Sequence, residues 1–546
     1  MAGSSDLKKQ RVAIVGSGVS GLAALWALRN TQHEVHLYEK SDRLGGHTNT
    51  VDFHHNGRTT PVDTGFIVLN SATYPNFLNF LKHTNVKAVP TEMTFGVSRD
   101  NGAFEWAGTS LSAVFAQYTN IVRPSFWRMI FDIVRFNLFA LNLLANVEES
   151  ENAPTGNANG SVKKSASRRK ELSIGEYLER EGYSDAFKDD YLIPMTAAVW
   201  STAPDKCALE FPAITLVRFM WNHHLLNTLA ARPTWMTLEG GSKRYVDAIM
   251  KGVSADRVHV NTEVLRVQKG NGTASVVVKT PDGRFRSELF DRVILACHGD
   301  QAFQLRGHNA VSMFTADQIE KDILSAFKTT ENTVYLHSDT SLMPRRRKTW
   351  SAWSYLTSTK DTKSKDVDRV SLTYWMNALQ HIPTAIYGHV LVTMNPIHKP
   401  DPALTQATFT YRHPLYNAAA INAQERLGEI QGMDGISYCG AWTKYGFHED
   451  GFSSGLKVAM DYLGAKLPFE FVDSTFSRGR RPVFETKDLW ARRAVWCVQQ
   501  FVAVLEWMFL RLGLDRTAED RFVGFVVWML GPVVSLLRFF GLFREE

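Results

Sequence analysis

A chain of 546 residues with 44% hydrophobic and 21% charged residues can bury a large core and form more than one domain, which excludes a disordered polymer. A net charge of +6, from 61 basic and 55 acidic residues, is too small an excess for nucleic acid as the main partner and fits an anionic membrane surface or an anionic substrate. The four cysteines, Cys207, Cys297, Cys439 and Cys497, stand at no CxxC spacing, so neither a metal site nor a disulfide framework is expected and a reducing compartment follows. Met1 to Gln10 is polar and lacks the apolar run of a secretory signal.

Arg11 to Gly16 reads as a buried strand, Val12-Ala13-Ile14-Val15, running into a glycine turn. Ser20 to Arg29 follows as an Ala/Leu-rich helix and Glu34 to Glu39 as a second, alternating strand, which together make a βαβ unit. Its turn, Gly16-Ser17-Gly18-Val19-Ser20-Gly21, fits GxGxxG. The first glycine permits the tight turn, the second lets the backbone approach a pyrophosphate, and the third lets helix and strand pack closely. The helix start offers free N–H groups and partial positive charge to phosphates. Glu39 closes the second strand, where a carboxylate accepts hydrogen bonds from ribose hydroxyls and repels a 2′-phosphate. A bound dinucleotide is therefore predicted.

Between Arg123 and Val147 the polar residues Arg128, Asp132 and Arg135 recur at helical spacing among Phe, Ile, Leu and Trp. That pattern suits a membrane-facing helix or a buried core helix. Residues 148–170 are polar and aperiodic, a disordered insertion or long surface loop. Residues 255–267 and 274–296 read as paired strands, and Val390–Met394 and Ala407–Tyr411 add more, predicting a second sheet in the middle of the chain. From Arg492 to Leu512, Arg492, Gln499 and Glu506 recur every seven residues and leave a broad apolar face with Trp496, Phe501, Trp507 and Phe509. Phe522 to Leu537 carries no charge, but it is short for a bilayer span and is interrupted by Gly531-Pro532. An interfacial or re-entrant membrane anchor is expected there, against the alternative of ordinary core helices.

After Glu39 come Lys40-Ser41-Asp42-Arg43-Leu44-Gly45-Gly46-His47-Thr48. An acidic residue followed by an Arg and a Gly-Gly pair resembles the flavin amine oxidase superfamily, which includes monoamine and polyamine oxidases, protoporphyrinogen oxidase and phytoene desaturases. The resemblance implies FAD as the cofactor, with Lys40, Arg43, Gly45, Gly46, His47 and Thr48 passing its pyrophosphate and flavin. Asp63-Thr64-Gly65-Phe66 resembles the stretch beside the isoalloxazine. Glu239-Gly240-Gly241-Ser242 resembles the turn before the second FAD-binding strand, and Val264 of Asn261-Thr262-Glu263-Val264 the residue whose backbone meets the adenine. Asp291 to Ala296 resembles the returning strand. Tyr438-Cys439-Gly440-Ala441-Trp442 and Gly446-Phe447-His448-Glu449-Asp450-Gly451-Phe452-Ser453-Ser454-Gly455 resemble the C-terminal flavin motif, whose last glycines start a helix facing the pyrimidine ring.

The implied fold is α/β: a Rossmann-like FAD-binding domain of the glutathione-reductase-like, amine oxidase type, with an interleaved α+β substrate domain and C-terminal apolar helices. The expected divisions are 11–110, 236–300 and 431–465 for FAD binding, 111–235 for a helical substrate- or membrane-facing region, 301–430 for the substrate-domain sheet and 490–546 for membrane-associating helices.

The phrase GFHEDGFSSG, with Tyr191–Thr202, Met343–Trp353 and Tyr374–Gln380, resembles a narrower subgroup similar to the N-terminal flavoprotein half of plant cyclopropane fatty acid synthases. That subgroup implies unsaturated fatty acyl chains or similar lipids as substrates. No methyltransferase half is evident here. Amine oxidases place an aromatic ring three residues before the central glycine of the last motif; counting back from Gly451 gives His448, which turns the chemistry away from amines. His448 is the candidate acid/base, or else a brace for the flavin loop. Glu449, beside Asp450, is a second catalytic candidate, or else a helix cap. Trp442, Tyr445 and Phe447 are candidates for lining the substrate site. Arg345 and Arg346, with Arg347, form a cluster able to hold a carboxylate or phospholipid head group, or else a solvated loop. His298 reads as structural.

The expected function is an FAD-dependent oxidoreductase or isomerase (hydride abstraction, desaturation or double-bond isomerisation) on a lipid-like unsaturated substrate, inside the cell at the cytosolic face of a membrane. The alternatives are an amine oxidase releasing hydrogen peroxide and a non-catalytic flavoprotein partner of a lipid methyltransferase.

Overall fold

The computed structural model describes residues 8–145, 172–200, 207–226, 233–270, 272–307, 315–359, 367–473, 475, 478–479 and 481–511. The expected insertion at 148–170 and the apolar segment Phe522–Leu537 lie outside them.

The apolar run Val12–Val15 forms the strand Arg11–Val15 at the centre of a five-stranded parallel sheet. Across the sheet the order is Val258–His259, Glu34–Tyr38, Arg11–Val15, Arg292–Leu295, Ile436–Tyr438. Strands buried on both faces read as continuous hydrophobic runs, as this one does. Val12 and Ile14 point toward one layer, where the helices Val19–Leu28 and His448–Leu463 pack together. The two helices touch through glycines: a Cβ on Gly455 would run into Ser20 O, and one on Gly451 would stand 2.6 Å from Val19 Cγ1. Ala13 and Val15 point the other way, toward the antiparallel sheet Glu263–Lys269, Ala274–Lys279, Phe285–Phe290 and the helix Gly299–Leu305.

A second sheet has seven strands, in the order Thr405–Leu415, Lys328–His337, Leu391–Met394, Val367–Trp375, Trp353–Thr359, Phe95–Arg99, Phe104–Ala107. The sequence placed residues 95–107 in the first FAD-binding stretch. They join this sheet instead, because Phe95–Arg99 pairs in parallel with Trp353–Thr359, a long-range match that no local pattern announces.

A helical layer covers one end of that sheet. In the helix Pro124–Phe139 the polar residues face inward: Asp132 is 0% and Arg135 3% exposed. Arg135 donates to Asp132 Oδ1 and to Gly182 O, both at 3.2 Å, and Asp132 Oδ2 accepts from Ser184 N at 2.9 Å. Buried ions persist when paired and hydrogen-bonded in this way. The outward side carries Trp127, 48% exposed. The last described helix, Thr486–Arg511, repeats the inversion. Arg492 turns inward to donate to Leu138 O and to Asn142 and lies over Phe139, while Trp490 (71%) and Phe501 (64%) face out. No helix among the described residues is long and apolar enough to cross a membrane.

Candidate active site

Gly16 has φ +101°, and a Cβ there would lie 2.9 Å from Ala296 O, so only glycine fits between the first strand and its neighbour. Opposite it, Gly46 has φ +58°, and its added Cβ would meet Gly18 Cα at 3.1 Å. The two glycine turns therefore pack on each other, joined by Gly45 N donating to Ser17 O at 3.0 Å, and together wall one side of a groove. Gly18 itself has nothing within 4 Å where its side chain would be, so the space beside it is open. Gly21 packs on Gly16 O inside the fold.

Glu39 accepts from Ser17 N at 3.0 Å, Ser17 Oγ at 2.7 Å and Ser41 N at 2.9 Å, tying the second strand to the first turn. Arg43 donates to Gly46 O at 2.8 Å and to Thr48 O at 3.3 Å, which holds the Gly45-Gly46 turn in place. Gly16, Ser17, Gly18, Ser20, Glu39, Lys40, Arg43, Gly45, Gly46, His47, Thr48 and Val264 all line one cavity of about 660 Å³. Gly65, Phe66, Gly440, Ala441, Trp442, Phe447 and His448 line it further in. The open space beside Gly18, the start of the Val19–Leu28 helix and the carboxylate of Glu39 suit the pyrophosphate and ribose of a dinucleotide. These residues fit FAD.

Other candidates stand behind the wall. Asp63 is buried, accepting from Ser242 N at 2.9 Å, Ser242 Oγ at 2.7 Å and Thr50 Oγ1 at 2.6 Å. Thr64 shares a hydrogen bond with Tyr411 Oη at 2.8 Å. Neither lines the cavity, and nor do Gly21, Gly451, Phe452 and Ser453. Phe452 sits in the core between the helices, 5.2 Å from Phe77 ring to ring, and Ser453 accepts from Asn76 Nδ2 at 2.8 Å. Glu449, expected as a catalytic candidate, is turned away from the cavity. Its oxygens accept from Asn76 N and Phe77 N, both at 3.0 Å, so it caps the helix Pro75–His83. Burial still pushes its carboxyl up to about 8.

Arg345 and Arg346 are also elsewhere. Their backbone N–H groups and the Arg346 guanidinium all converge on the buried carboxylate of Glu105, at 2.7, 3.1 and 2.8 Å. The Arg346 guanidinium neutralises that charge, Arg345 Nε donates to Asn101 Oδ1 at 2.9 Å, and neither side chain lines the cavity. Tyr445 packs behind the wall, 6.0 Å from Phe219. Trp442 lines the groove but commits its indole N–H to Cys297 O at 2.9 Å.

Beyond the groove the cavity becomes an aromatic chamber. His448 stacks on Phe66 with ring centres 3.6 Å apart and planes 8° from parallel, with Phe77 edge-on at 5.0 Å. Burial pushes its pKa down to about 3, and its Nε2 has no hydrogen-bond partner. Phe447 stacks on Phe219 at 4.8 Å, and His223 lies 4.0 Å from Phe219. Trp353, Tyr374, Met93, Leu225 and Tyr416 complete the lining. Near the Gly-Gly turn, His47 lies 5.0 Å from Tyr411, 4.9 Å from His413 and 5.9 Å from His298, and burial lowers all three imidazoles. His298 thus lines the cavity as well as starting a helix. The charged lining residues Glu39, Lys40, Arg43 and Glu263 stand at the nucleotide end, and Arg412 pairs with Asp300 at 2.9 Å. Sequence reasoning missed Phe219, His223, His413 and Tyr416. Trp353 and Tyr374 fell inside quoted motifs without being singled out.

Comparison with known proteins agrees with this geometry. The family model for flavin-containing amine oxidoreductases matches residues 19–463. A stretch of 41 residues is 54% identical to an L-amino acid oxidase of Cerastes cerastes, a match that spans 8% of this chain and 8% of that enzyme. Similar solved structures include a CLA-producing fatty acid isomerase from P. acnes (14% identity, TM-score 0.53) and cyclohexylamine oxidase from Brevibacterium oxydans (13%, 0.53). Putrescine oxidase with bound putrescine is a third (15%, 0.54). Each of the three covers 84% of this chain and is itself covered over 99% of its length. At these identities the likeness is one of fold, and the fold, the glycine-walled groove and the matched family model agree: the chain belongs to the flavin-containing amine oxidoreductase family and is an enzyme with FAD as its cofactor.

Proposed function

We propose that the protein is an FAD-dependent oxidoreductase or isomerase acting on an unsaturated, lipid-like chain. The observation that carries this reading is the chamber itself: aromatic and aliphatic walls, with every charged lining residue at the nucleotide end or paired to Asp300. Bound FAD supplies hydride acceptance and return. The protein's own groups then bind, orient and dry the site. The glycine turns and the Val19–Leu28 helix start hold the pyrophosphate. Phe66, Phe219, Phe447 and the neutral ring of His448 exclude water and align an apolar chain.

An amine oxidase needs the same cofactor and fold but acts on a polar nitrogen. The two readings separate in one experiment. The FAD-loaded protein is incubated anaerobically with unsaturated fatty acids, their alcohols and esters, and phospholipids, and in air with polyamines and aryl-alkylamines. A shifted or new double bond in a lipid product, seen by mass spectrometry, is the expected result. Hydrogen peroxide release from an amine, with every lipid unchanged, overturns it. A stoichiometric complex with a lipid methyltransferase and no turnover favours the non-catalytic alternative.

A membrane surface on the cytosolic side is the second part of the proposal. The outward apolar side chains of the Pro124–Phe139 and Thr486–Arg511 helices support it, as do the exposed basic residues Lys487 and Arg493 beside them.

A further inference from the structure

We infer that the chamber selects an uncharged substrate whose polar end is a hydroxyl, and that His223 is the residue that reads it. The inference rests on the lipid-like substrate proposed above and narrows its class.

The helix Ala213–Asn222 ends at His223, whose backbone N–H donates to Phe219 O at 3.0 Å. Its ring turns back on the same carbonyl, with Nδ1 3.0 Å from Phe219 O. A carbonyl only accepts, so Nδ1 carries the hydrogen, and in a neutral imidazole the lone pair then sits on Nε2. The ring cannot swap roles without breaking that bond. It is clamped 4.0 Å from Phe219 and 5.0 Å from Phe447, is 7% exposed, and lines the cavity. Burial pushes its pKa down to about 4, which keeps it neutral. Its Nε2 is bonded by no group among the described residues.

The other uncommitted polar atoms of the chamber are neutral too. Tyr416 Oη, Trp353 Nε1 and His448 Nε2 belong to residues that line the cavity and have no hydrogen-bond partner, but these atoms are buried in the wall and are not open to a ligand. A carboxylate placed here would meet the His223 lone pair and no cation. An ammonium would meet no carboxylate. Ions buried without a partner are strongly disfavoured. A hydroxyl suits this environment: it carries no charge and donates to His223 Nε2. The Arg346 guanidinium is paired with Glu105, and neither Arg345 nor Arg346 lines the cavity.

The test uses three probes of one chain length, decenol, decenoate and decenylamine, titrated into the FAD-loaded protein at neutral pH and read by the visible spectrum of the flavin. The expected result is a Kd for decenol at least about tenfold below that for decenoate, the size of one neutral hydrogen bond. His223→Phe is expected to weaken decenol binding about tenfold and leave decenoate unchanged, with His223→Gln, which keeps an acceptor oxygen, recovering part of the loss. The flavin content of each variant reports its folding. Decenoate binding as tightly as decenol to the wild-type protein overturns the inference and spares the lipid reading. An unchanged preference in a flavin-replete His223→Phe protein also overturns it. Binding of decenylamine alone overturns both, and silence from all three probes overturns the inference.

Discussion

His448 behaves as a ring rather than as a proton carrier. Phe66 covers one face at 3.6 Å, Phe77 and Tyr245 stand edge-on at 5.0 and 5.4 Å, and burial holds its pKa near 3. A general acid or base works best with a pKa near the working pH, and the other chamber histidine, His223, is also depressed, to about 4. His448→Phe is therefore expected to keep turnover within about threefold and to leave the pH profile of flavin reduction between about pH 6 and 9 the same as that of the wild-type protein. Stopped-flow reduction of both proteins across that range checks this, and a loss of about a hundredfold or more would restore the acid/base role. The position of His448, three residues before Gly451, was legible in the sequence. Its chemistry was not, because Phe66 supplies its surroundings from the other end of the chain. Arg345 and Arg346 show the same limit: three adjacent arginines look like an anion site until Glu105, far away in sequence, is found buried against the Arg346 guanidinium and the loop's backbone N–H groups. His223 gave no signal, since nothing nearby in sequence marks which histidine will end a helix against a cavity.

Glycine motifs were the most readable elements because their function is backbone geometry, which depends on near neighbours. The two turns at Gly16–Gly18 and Gly45–Gly46 pack on each other and wall the groove together. Gly18 allows a clean separation of fold from cofactor: it has φ −63° and no atom within 4 Å of an added Cβ. Gly18→Ala is thus expected to leave the melting temperature of the apoprotein unchanged while weakening FAD by about tenfold or more, because the methyl occupies cofactor space. Thermal melts with and without added FAD measure both quantities. Strand pairing was less readable. The alternating pattern marked Glu34–Glu39, and the apolar run marked Val12–Val15, but the partnership of Phe95–Arg99 with Trp353–Thr359 is decided by tertiary contact.

At the scale of the molecule, two helices turn charged residues toward the protein while large apolar side chains, Trp127 on one and Trp490 and Phe501 on the other, stay exposed. Sequence periodicity recognised the stripes, yet it could not assign which stripe faces the protein; Asp132, Arg135 and Arg492 settle it by bonding inward. The protein is expected to sediment with vesicles of anionic phospholipid. Trp490→Ser combined with Phe501→Ser, both at exposed positions, should reduce the bound fraction about tenfold or more without disturbing the fold. Recovery of the wild-type protein in the supernatant would end the membrane reading.

The central sheet also bears on how the protein is made. Its strands come from residues 11–15, 34–38, 258–259, 292–295 and 436–438, and the helix that packs against Val19–Leu28 begins only at His448. A ribosome must deliver the chain as far as His448 and beyond before the first glycine turn has its full surroundings. Until then the early βαβ unit leaves one flank of apolar strand and helix uncovered, which invites chaperones and non-native pairing. Translation that stops before the last flavin motif therefore leaves the cavity without the part of its wall made by Gly440, Ala441, Trp442, Phe447 and His448.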